Sequence, residues 1–164
     1  MRKKTPVRLV PLSKSDKVIL FFGQHDYPAY WKLSNFFPCK FHVNGEWVKS
    51  VEHYYQAQKY IHNQEHYDEV MNASTPAHAK KIGRKYEIRD NWDGVKYGIM
   101  VDAIYAKFSQ VQECRTVLLN TKNYPIHEDS PFDYVWGWRN NGDDLLGEIL
   151  MNTRTTIRIE LGLK

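Results

Sequence analysis

Residues 50–59 read Ser50-Val51-Glu52-His53-Tyr54-Tyr55-Gln56-Ala57-Gln58-Lys59, and their spacing predicts a helix with Ser50 as its N-cap. Glu52, Gln56 and Lys59 stand at i, i+4 and i+7, so they share one edge of this helix. The neighbouring face, with Val51, Tyr54, Gln58 and Ile61, is expected to pack inward. A catalytic helix has this pattern, and so does a solvated helix that carries an ion pair.

The residues before this helix predict a small antiparallel β element. Residues 18–22 form a short apolar run typical of a buried strand, and residues 23–32 are interpreted as a loop. Residues 36–43 are a candidate second strand. Asn44-Gly45 is a strong hairpin signal, with residues 46–48 as the returning strand.

The residues after it predict mostly helix. A short helix is expected over residues 67–73, and Thr75-Pro76 opens another that ends near Gly83. Asn91 is expected to cap a longer helix, and residues 113–119 continue or follow it. Residues 120–141 are interpreted as an ordered loop. A last helix begins near Asp143 or Asp144 and runs toward Gly162, with an inward face of Leu146, Ile149, Leu150, Thr153 and Ile157.

The expected fold class is therefore α+β, a mainly helical single domain with a small antiparallel β element near the N-terminus. Residues 1–17 are interpreted as a loosely ordered leader and residues 18–164 as the domain. Cys39 and Cys114 are too few for a disulfide framework, which favours a reducing compartment. Neither a signal peptide nor an apolar run long enough to span a membrane is evident, so we expect a cytoplasmic location, with the nucleus as the alternative.

The net charge of +4 weakly favours anionic ligands such as phosphates or nucleic acid. Motifs for zinc proteases, serine hydrolases, Walker-type NTPases and dinucleotide-binding enzymes are absent from the sequence. Metal, nucleoside-triphosphate and hydride chemistry are therefore disfavoured, and no cofactor is expected.

Several polar residues have both a functional and a structural interpretation. Ser34-Asn35 could bind a phosphate or base edge, or simply close a turn. Glu52 could act as a base, nucleophile or charge stabiliser, although most helix glutamates are solvated. Lys59 could form a Schiff base with a sugar C1 if burial lowered its pKa, or be an ordinary exposed lysine.

Several aromatic, acidic and glycine residues also have more than one interpretation. Trp92, at a predicted helix start, could stack on a ligand or cover the edge of the core. Asp133, Trp136 and Gly137 lie in the long loop and could help form a ligand site. Gly147 in the last helix implies the close approach of a ligand or another backbone.

Together these motifs resemble the NADAR (NAD- and ADP-ribose-associated) family, which includes the bacterial YbiA-like proteins. The resemblance begins near Phe21, extends to the C-terminus and keeps the family's order and spacing. Besides residues 50–59, it rests on Leu33-Ser34-Asn35-Phe36, Ser74-Thr75-Pro76, Ala79, Gly83-Arg84, Asn91-Trp92, Val95-Lys96, Met100, Lys107-Phe108, Asp133, Trp136-Gly137, Leu146-Gly147, Leu150-Met151 and Arg154.

The resemblance implies an N-glycosidase that hydrolyses the bond between ribose C1 and a base or amine nitrogen. Two substrate classes are associated with the family: ADP-ribose attached to guanine, on nucleotides or DNA, and a phosphoribosylamino-pyrimidine intermediate of riboflavin synthesis. The alternative is an ADP-ribose-binding reader without catalysis. No metal, membrane or obligate protein partner is implied.

The resemblance also assigns site residues. Glu52 and Asp133 are the expected catalytic carboxylates, and Lys59 is a further candidate that would pair with phosphate or capture C1 covalently. Relatives often carry Asn where this chain has Asp144, which suggests a structural capping role for that residue. The expected ligand-binding residues are Ser34, Asn35, Phe36, Tyr55, Gln56, Trp92, Trp136 and Gly137.

Overall fold

The computed structural model describes residues 17–163, and the expected leader, apart from Lys17, lies outside them. Within that range the chain is mainly helical, which confirms the expected fold class. The strands are β1 (Ile19–Phe21), β2 (Phe41–Val43), β3 (Glu46–Val48) and β4 (Ile126–Glu128). The helices are α1 (Val51–Ala57), α2 (Gln64–Met71), α3 (Pro76–Ile82), α4 (Trp92–Gln110), α5 (Gln112–Asn120) and α6 (Leu145–Glu160), with 3-10 turns at Pro28–Leu33, Gln58–Tyr60 and Arg139–Asn141.

Two of the predicted helix starts have the expected caps. The Ser50 hydroxyl accepts a hydrogen bond from the His53 backbone N–H (3.2 Å), and that of Thr75 accepts one from His78 (3.1 Å). Asn91 precedes α4 as predicted, but its side chain makes no capping bond. Its amide oxygen instead accepts a hydrogen bond from Nε of Arg89. The predicted position of Asn91 before α4 is therefore correct, and the predicted capping bond is wrong.

The predicted hairpin is confirmed, since β2 and β3 pair antiparallel with Phe41 opposite Val48. Asn44 and Gly45 both have positive φ, as the tightest hairpin turns require. The predicted strand over residues 36–43 is too long, because only its last three residues pair. The loop predicted over residues 23–32 contains a 3-10 turn that begins at Pro28.

A second, parallel pair of strands escaped prediction. β1 pairs with β4 in the register Ile19 to Ile126, and β4 lies within the predicted loop of residues 120–141. A three-residue strand has too few positions to show an alternating pattern, and its partner lies more than a hundred residues away. The β content is therefore not confined to the N-terminal part of the chain.

Helix α1 forms the centre of the molecule, with every residue from Val51 to Ala57 buried. It contacts α2, α3 and α4. The predicted inward face is confirmed for Val51 and Tyr54 but wrong for Ile61, which is 51% exposed. The chain tightens into a 3-10 turn after Ala57, and Tyr60 takes the buried position instead.

Helix α6 packs against β4 and α4, and the five residues predicted for its inner face are all buried. Helix α5 is a separate helix that follows α4 across Val111. Between residues 17 and 163, no helix has both the length and the apolar composition that a membrane crossing requires.

Candidate active site

A cleft of about 170 Å³ opens between α1, α3, β4 and the loop that follows β4. Eight of the eleven predicted site residues line it, so the structure brings together side chains from three distant parts of the sequence. They are Asn35, Phe36, Glu52, Tyr55, Gln56, Lys59, Asp133 and Trp136. Their roles in binding or catalysis remain predictions.

Glu52 lines the cleft and is only 5% exposed. Its Oε1 accepts a 2.7 Å hydrogen bond from Gln56 Nε2, one turn later on α1. Burial raises the pKa of Glu52, and the charge of Asp133 adds to this, while the Gln56 bond, Lys80 and Lys59 oppose it. Glu52 is thus a positioned, poorly hydrated carboxyl group rather than the solvated residue of the structural interpretation.

Gly83 links Gln56 to Lys59 at the wall of the cleft. The Lys59 ammonium donates a 3.1 Å hydrogen bond to the carbonyl oxygen of Gly83. A side chain at Gly83 would overlap Oε1 of Gln56 and come within 2.7 Å of its Cδ. Burial lowers the pKa of Lys59, helped by Arg84 and Lys80 and opposed by Glu52.

Asp133 uses one carboxylate oxygen to shape its own loop. Its Oδ1 accepts hydrogen bonds from the backbone N–H groups of Val135 (3.0 Å) and Trp136 (2.9 Å). Its own N–H donates to the Ser130 hydroxyl (3.2 Å). The local sequence therefore forms an Asx-type turn that holds the carboxylate in the lining of the cleft.

Ser34 and Asn35 differ in their placement. Ser34 is buried and does not line the cleft. Its hydroxyl accepts a hydrogen bond from the Phe36 backbone N–H, as expected if Ser34 closes a turn. Its carbonyl oxygen accepts a 2.8 Å bond from the buried Lys107. Asn35 lines the cleft and donates through Nδ2 to the sulfur of Met100 (3.4 Å). The Oδ1 of Asn35 is buried with no partner among the described residues, so it can accept a ligand hydrogen bond.

Trp92 and Gly137 lie outside the lining. The Trp92 ring is 8% exposed and packs edge-on against Tyr55 at 5.0 Å, as the core-edge interpretation expects. Tyr55 in turn contacts Trp136 edge-on at 5.6 Å, so Trp92 supports the aromatic wall from behind. Gly137 is packed so tightly that a Cβ there would lie 2.9 Å from the carbonyl oxygen of Asp133.

The sequence interpretation missed four lining residues: Lys80, Arg84, Met100 and Glu128. Lys80 and Arg84 add two cations from α3 and the turn after it. Glu128 ends β4, and it was missed because β4 was assigned to a loop. Its Oε2 is buried with no partner among residues 17–163. Burial raises the pKa of Glu128 to about 8, with Asp133 contributing in the same direction and Lys80 against it.

Asp144 fixes β4 rather than capping α6. Its Oδ2 lies 2.6 Å from His127 Nδ1, and its Oδ1 accepts the Glu128 N–H at 3.2 Å. The predicted capping bond is absent, because the carboxylate turns toward the strand. From the sequence, Gly147 is expected to allow the close approach of a ligand or another backbone segment. The structure shows a backbone segment there, because a Cβ at Gly147 would overlap the carbonyl oxygen of Ile126.

Across residues 17–163, no group of His, Cys, Asp and Glu side chains has the arrangement of a metal site. The cleft combines three carboxyl groups, three cations and an aromatic wall. Such a site can stabilise positive charge through its carboxyl groups and bind an anion through its cations.

Comparison with known proteins agrees with this architecture. Residues 20–158 match the family model described as the NADAR domain. The N-glycosidase YbiA of Shigella boydii serotype 4 (strain Sb227) is 35% identical over 149 residues, which cover 88% of this chain and 91% of that protein. The NMR structure of Escherichia coli YbiA is similar with a TM-score of 0.77 and 34% identity, over 89% of this chain and 88% of that one. The riboflavin biosynthesis protein PYRR, chloroplastic, of Zea mays is 33% identical over 85% of this chain and 25% of its own length.

Proposed function

This chain belongs to the NADAR domain family, and from that premise we propose that it is an N-glycosidase that hydrolyses the bond between ribose C1 and a base or amine nitrogen. The name of the Shigella relative, which shares 35% of its residues with this chain, supports this activity. The buried and charged cleft supports it independently.

The observation that carries the proposal is the meeting of carboxyl groups and cations in one cleft. Breaking a C1–N bond builds positive charge on the sugar, which nearby carboxylates stabilise. Glu52 on α1 and Asp133 on the loop after β4 both line the cleft and are the groups that would supply that charge. Lys80 and Arg84 supply the positive charge that a phosphate on the same ribose requires.

The substrate is a ribosyl N-glycoside with a phosphate on its O5, a feature that both substrate classes share. A volume of about 170 Å³ is below the roughly 300–1,000 Å³ of most sites for drug-sized ligands. So small a cleft favours the smaller of the two substrates. Of the two classes, we therefore favour the phosphoribosylamino-pyrimidine over ADP-ribosyl-guanine, and the name of the maize relative supports the same choice.

We assign the following roles to individual residues of the cleft. Glu52, held by Gln56, lies beneath the sugar and stabilises charge at C1. Trp136 and Tyr55 offer aromatic surface to the base, and Asn35 Oδ1 accepts a hydrogen bond from the ligand. Lys59, whose pKa is lowered by burial, is the candidate nucleophile at C1.

The decisive experiment is a side-by-side hydrolysis assay on the phosphoribosylamino-pyrimidine and on ADP-ribosyl-guanine, free and in DNA, with Glu52→Ala as the inactive control. We expect turnover of the pyrimidine substrate with the higher kcat/KM. Faster turnover of ADP-ribosyl-guanine would reverse the substrate choice. Calorimetric binding of ADP-ribose with no turnover of any substrate would identify a reader module instead.

A further inference from the structure

Glu128 is held in place more firmly than its location between two loops suggests. It pairs with Phe21 across the parallel strands. Its N–H donates to Asp144 Oδ1 (3.2 Å), and its carbonyl oxygen accepts from the Trp138 N–H (2.9 Å). Because three separate segments fix its backbone, its side chain enters the cleft from a rigid support.

The carboxyl group of Glu128 stands among other acids. Glu52 on α1, Asp133 on the following loop and Asp144 at the start of α6 all act on it, with Lys80 on α3 as the opposing cation. His127, its neighbour on β4, is engaged by Asp144. Burial and the neighbouring like charges both favour the protonated form of Glu128, and together they raise its pKa to about 8.

Hydrogen-bond donors distinguish Glu128 from the other two carboxyl groups. Glu52 receives one from Gln56, and Asp133 receives two from its loop. For Glu52 this donor opposes the rise in pKa that burial causes. Glu128 lines the cleft, and its Oε2 is buried with no partner within residues 17–163, so a proton on this oxygen would have no protein acceptor. The cleft thus contains two carboxyl groups supplied with donors and one without.

We propose that Glu128 is the general acid of the proposed N-glycosidase reaction, donating its proton to the leaving nitrogen as the C1–N bond breaks. The electron pair of that bond stays with the nitrogen, and the sugar charge is stabilised by Glu52. Water then supplies the oxygen at C1, directly or by hydrolysing a Lys59 adduct. Its released proton returns to Glu128, so each turnover consumes one water molecule and leaves the enzyme unchanged.

The proposal rests on the proposed function, and a series of leaving groups tests it separately. The substrates are phosphoribosyl amines whose leaving amines become progressively less basic. Wild type, Glu128→Gln, Glu52→Gln and the exposed control Glu87→Gln are compared by single-turnover rates. A weakly basic amine needs little protonation as it leaves. The rate loss caused by removing the general acid should therefore depend on the basicity of the leaving amine, whereas the rate loss caused by replacing Glu52 should not.

For Glu128→Gln we expect a rate loss of about 10²-fold or more with the most basic amine and only a few-fold loss with the least basic. Glu52→Gln should lose activity across the whole series, and Glu87→Gln should match wild type. An equal loss with every leaving group would assign Glu128 a structural role and overturn the proposal. So would an unchanged rate in Glu128→Gln.

The wild-type protein provides a second measurement that holds even if Glu128→Gln fails to fold. Its rate with the basic amine should fall as the pH rises through about 8, where Glu128 loses its proton. The rate with the least basic amine should lack this fall. Identical pH profiles for both would overturn the proposal, whereas no turnover of any member or of ADP-ribosyl-guanine would overturn the proposed function and the general acid with it.

Discussion

The side-chain amide of Gln56 donates a 2.7 Å hydrogen bond to Oε1 of Glu52, and both side chains are buried. The remaining amide oxygen of Gln56 has no partner among the described residues and faces Gly83. The absence of a side chain at Gly83 therefore allows Gln56 to orient Glu52. A single backbone position outside α1 thus limits the position of the Gln56 side chain that contacts the Glu52 carboxyl group.

Replacing Glu52 by Gln should reduce the hydrolysis rate by at least about 10²-fold, the usual effect of removing a positioned charge-stabilising group. The fold should persist, because the amide has the same shape and still accepts from Gln56. Steady-state kinetics and thermal unfolding check both points, with Glu87→Gln as the exposed control. Turnover near wild type would remove Glu52 from the reaction.

Replacing Gly83 by Ala should displace Gln56 and lower kcat by about tenfold or more, since small displacements in catalytic sites are costly. The added methyl group would overlap Oε1 of Gln56 and lie 2.7 Å from Cδ. We expect a loss of about 1–3 kcal/mol in the free energy of unfolding, the usual cost of overpacking.

Two controls separate this steric effect from a general effect of alanine. A Cβ at Gly98 in α4 would meet nothing within 4 Å. Gly98→Ala should therefore stabilise the helix by about 0.5–1 kcal/mol and leave kcat unchanged. In the double variant Gly83→Ala/Gln56→Ala, much of the lost stability should return. Additive losses in the double variant would show that Gln56 does not mediate the effect.

The free energy of unfolding should fall as the pH rises from about 4.5 to about 8, because of Glu128. Its folded-state pKa is raised from 4.5 to about 8, so the folded state binds the proton more tightly than the unfolded state does. This contribution is fully present below pH 4.5 and is lost as the pH rises through 8. The slope is at most about 1.4 kcal/mol per pH unit.

Urea unfolding at pH 5, 6.5 and 8 measures this dependence. Glu128→Gln should gain stability relative to wild type, and the gain should increase with pH. Glu87→Gln provides the control for a change of net charge at an exposed site. A stability difference that stays constant across the three pH values would contradict the raised pKa.

Borohydride should trap a protein–sugar adduct during turnover, and Lys59→Ala should abolish it. Burial lowers the pKa of Lys59, so more of its amine is neutral and able to attack C1. Mass spectrometry of the reduced protein checks the mass and the modified residue. Lys80→Ala is the matched control and should still form the adduct. Absence of an adduct in wild type would make Lys59 a phosphate-binding cation.

Lys80→Ala and Arg84→Ala should raise KM for the phosphorylated substrate with little change in kcat, because uniform binding of a phosphate is lost. The KM for the same substrate without its phosphate should be unaffected. Lys81→Ala, next to Lys80 but exposed and outside the cleft lining, is the control. Equal effects on both substrates would place the phosphate elsewhere.

Local patterns were enough to predict the helices and the hairpin. The capping residues Ser50 and Thr75, the Asn44-Gly45 turn and the 3.6-residue spacing of α6 act over a few neighbouring residues, and each is confirmed. The grouping of Glu52, Gln56 and Lys59 at one cleft also follows from their spacing on one helix.

Long-range features could not be predicted in this way. β4 exists because β1 pairs with it across the fold, and no local pattern marks it. Glu128 was therefore missed, although its position five residues before Asp133 was visible. Lys80 and Arg84 resemble ordinary helix cations until α3 is packed beside α1. The second half of the site is a product of tertiary packing.

The parallel pairing of β1 with β4 also has a kinetic consequence. Residues more than a hundred positions apart must meet before the support of Glu128 exists, and closing so long a loop is slow because its entropy is lost before the contacts compensate. We expect the helices around α1 to assemble early and this strand pair to join them late. Refolding enzyme should therefore recover its helical circular dichroism before it recovers turnover.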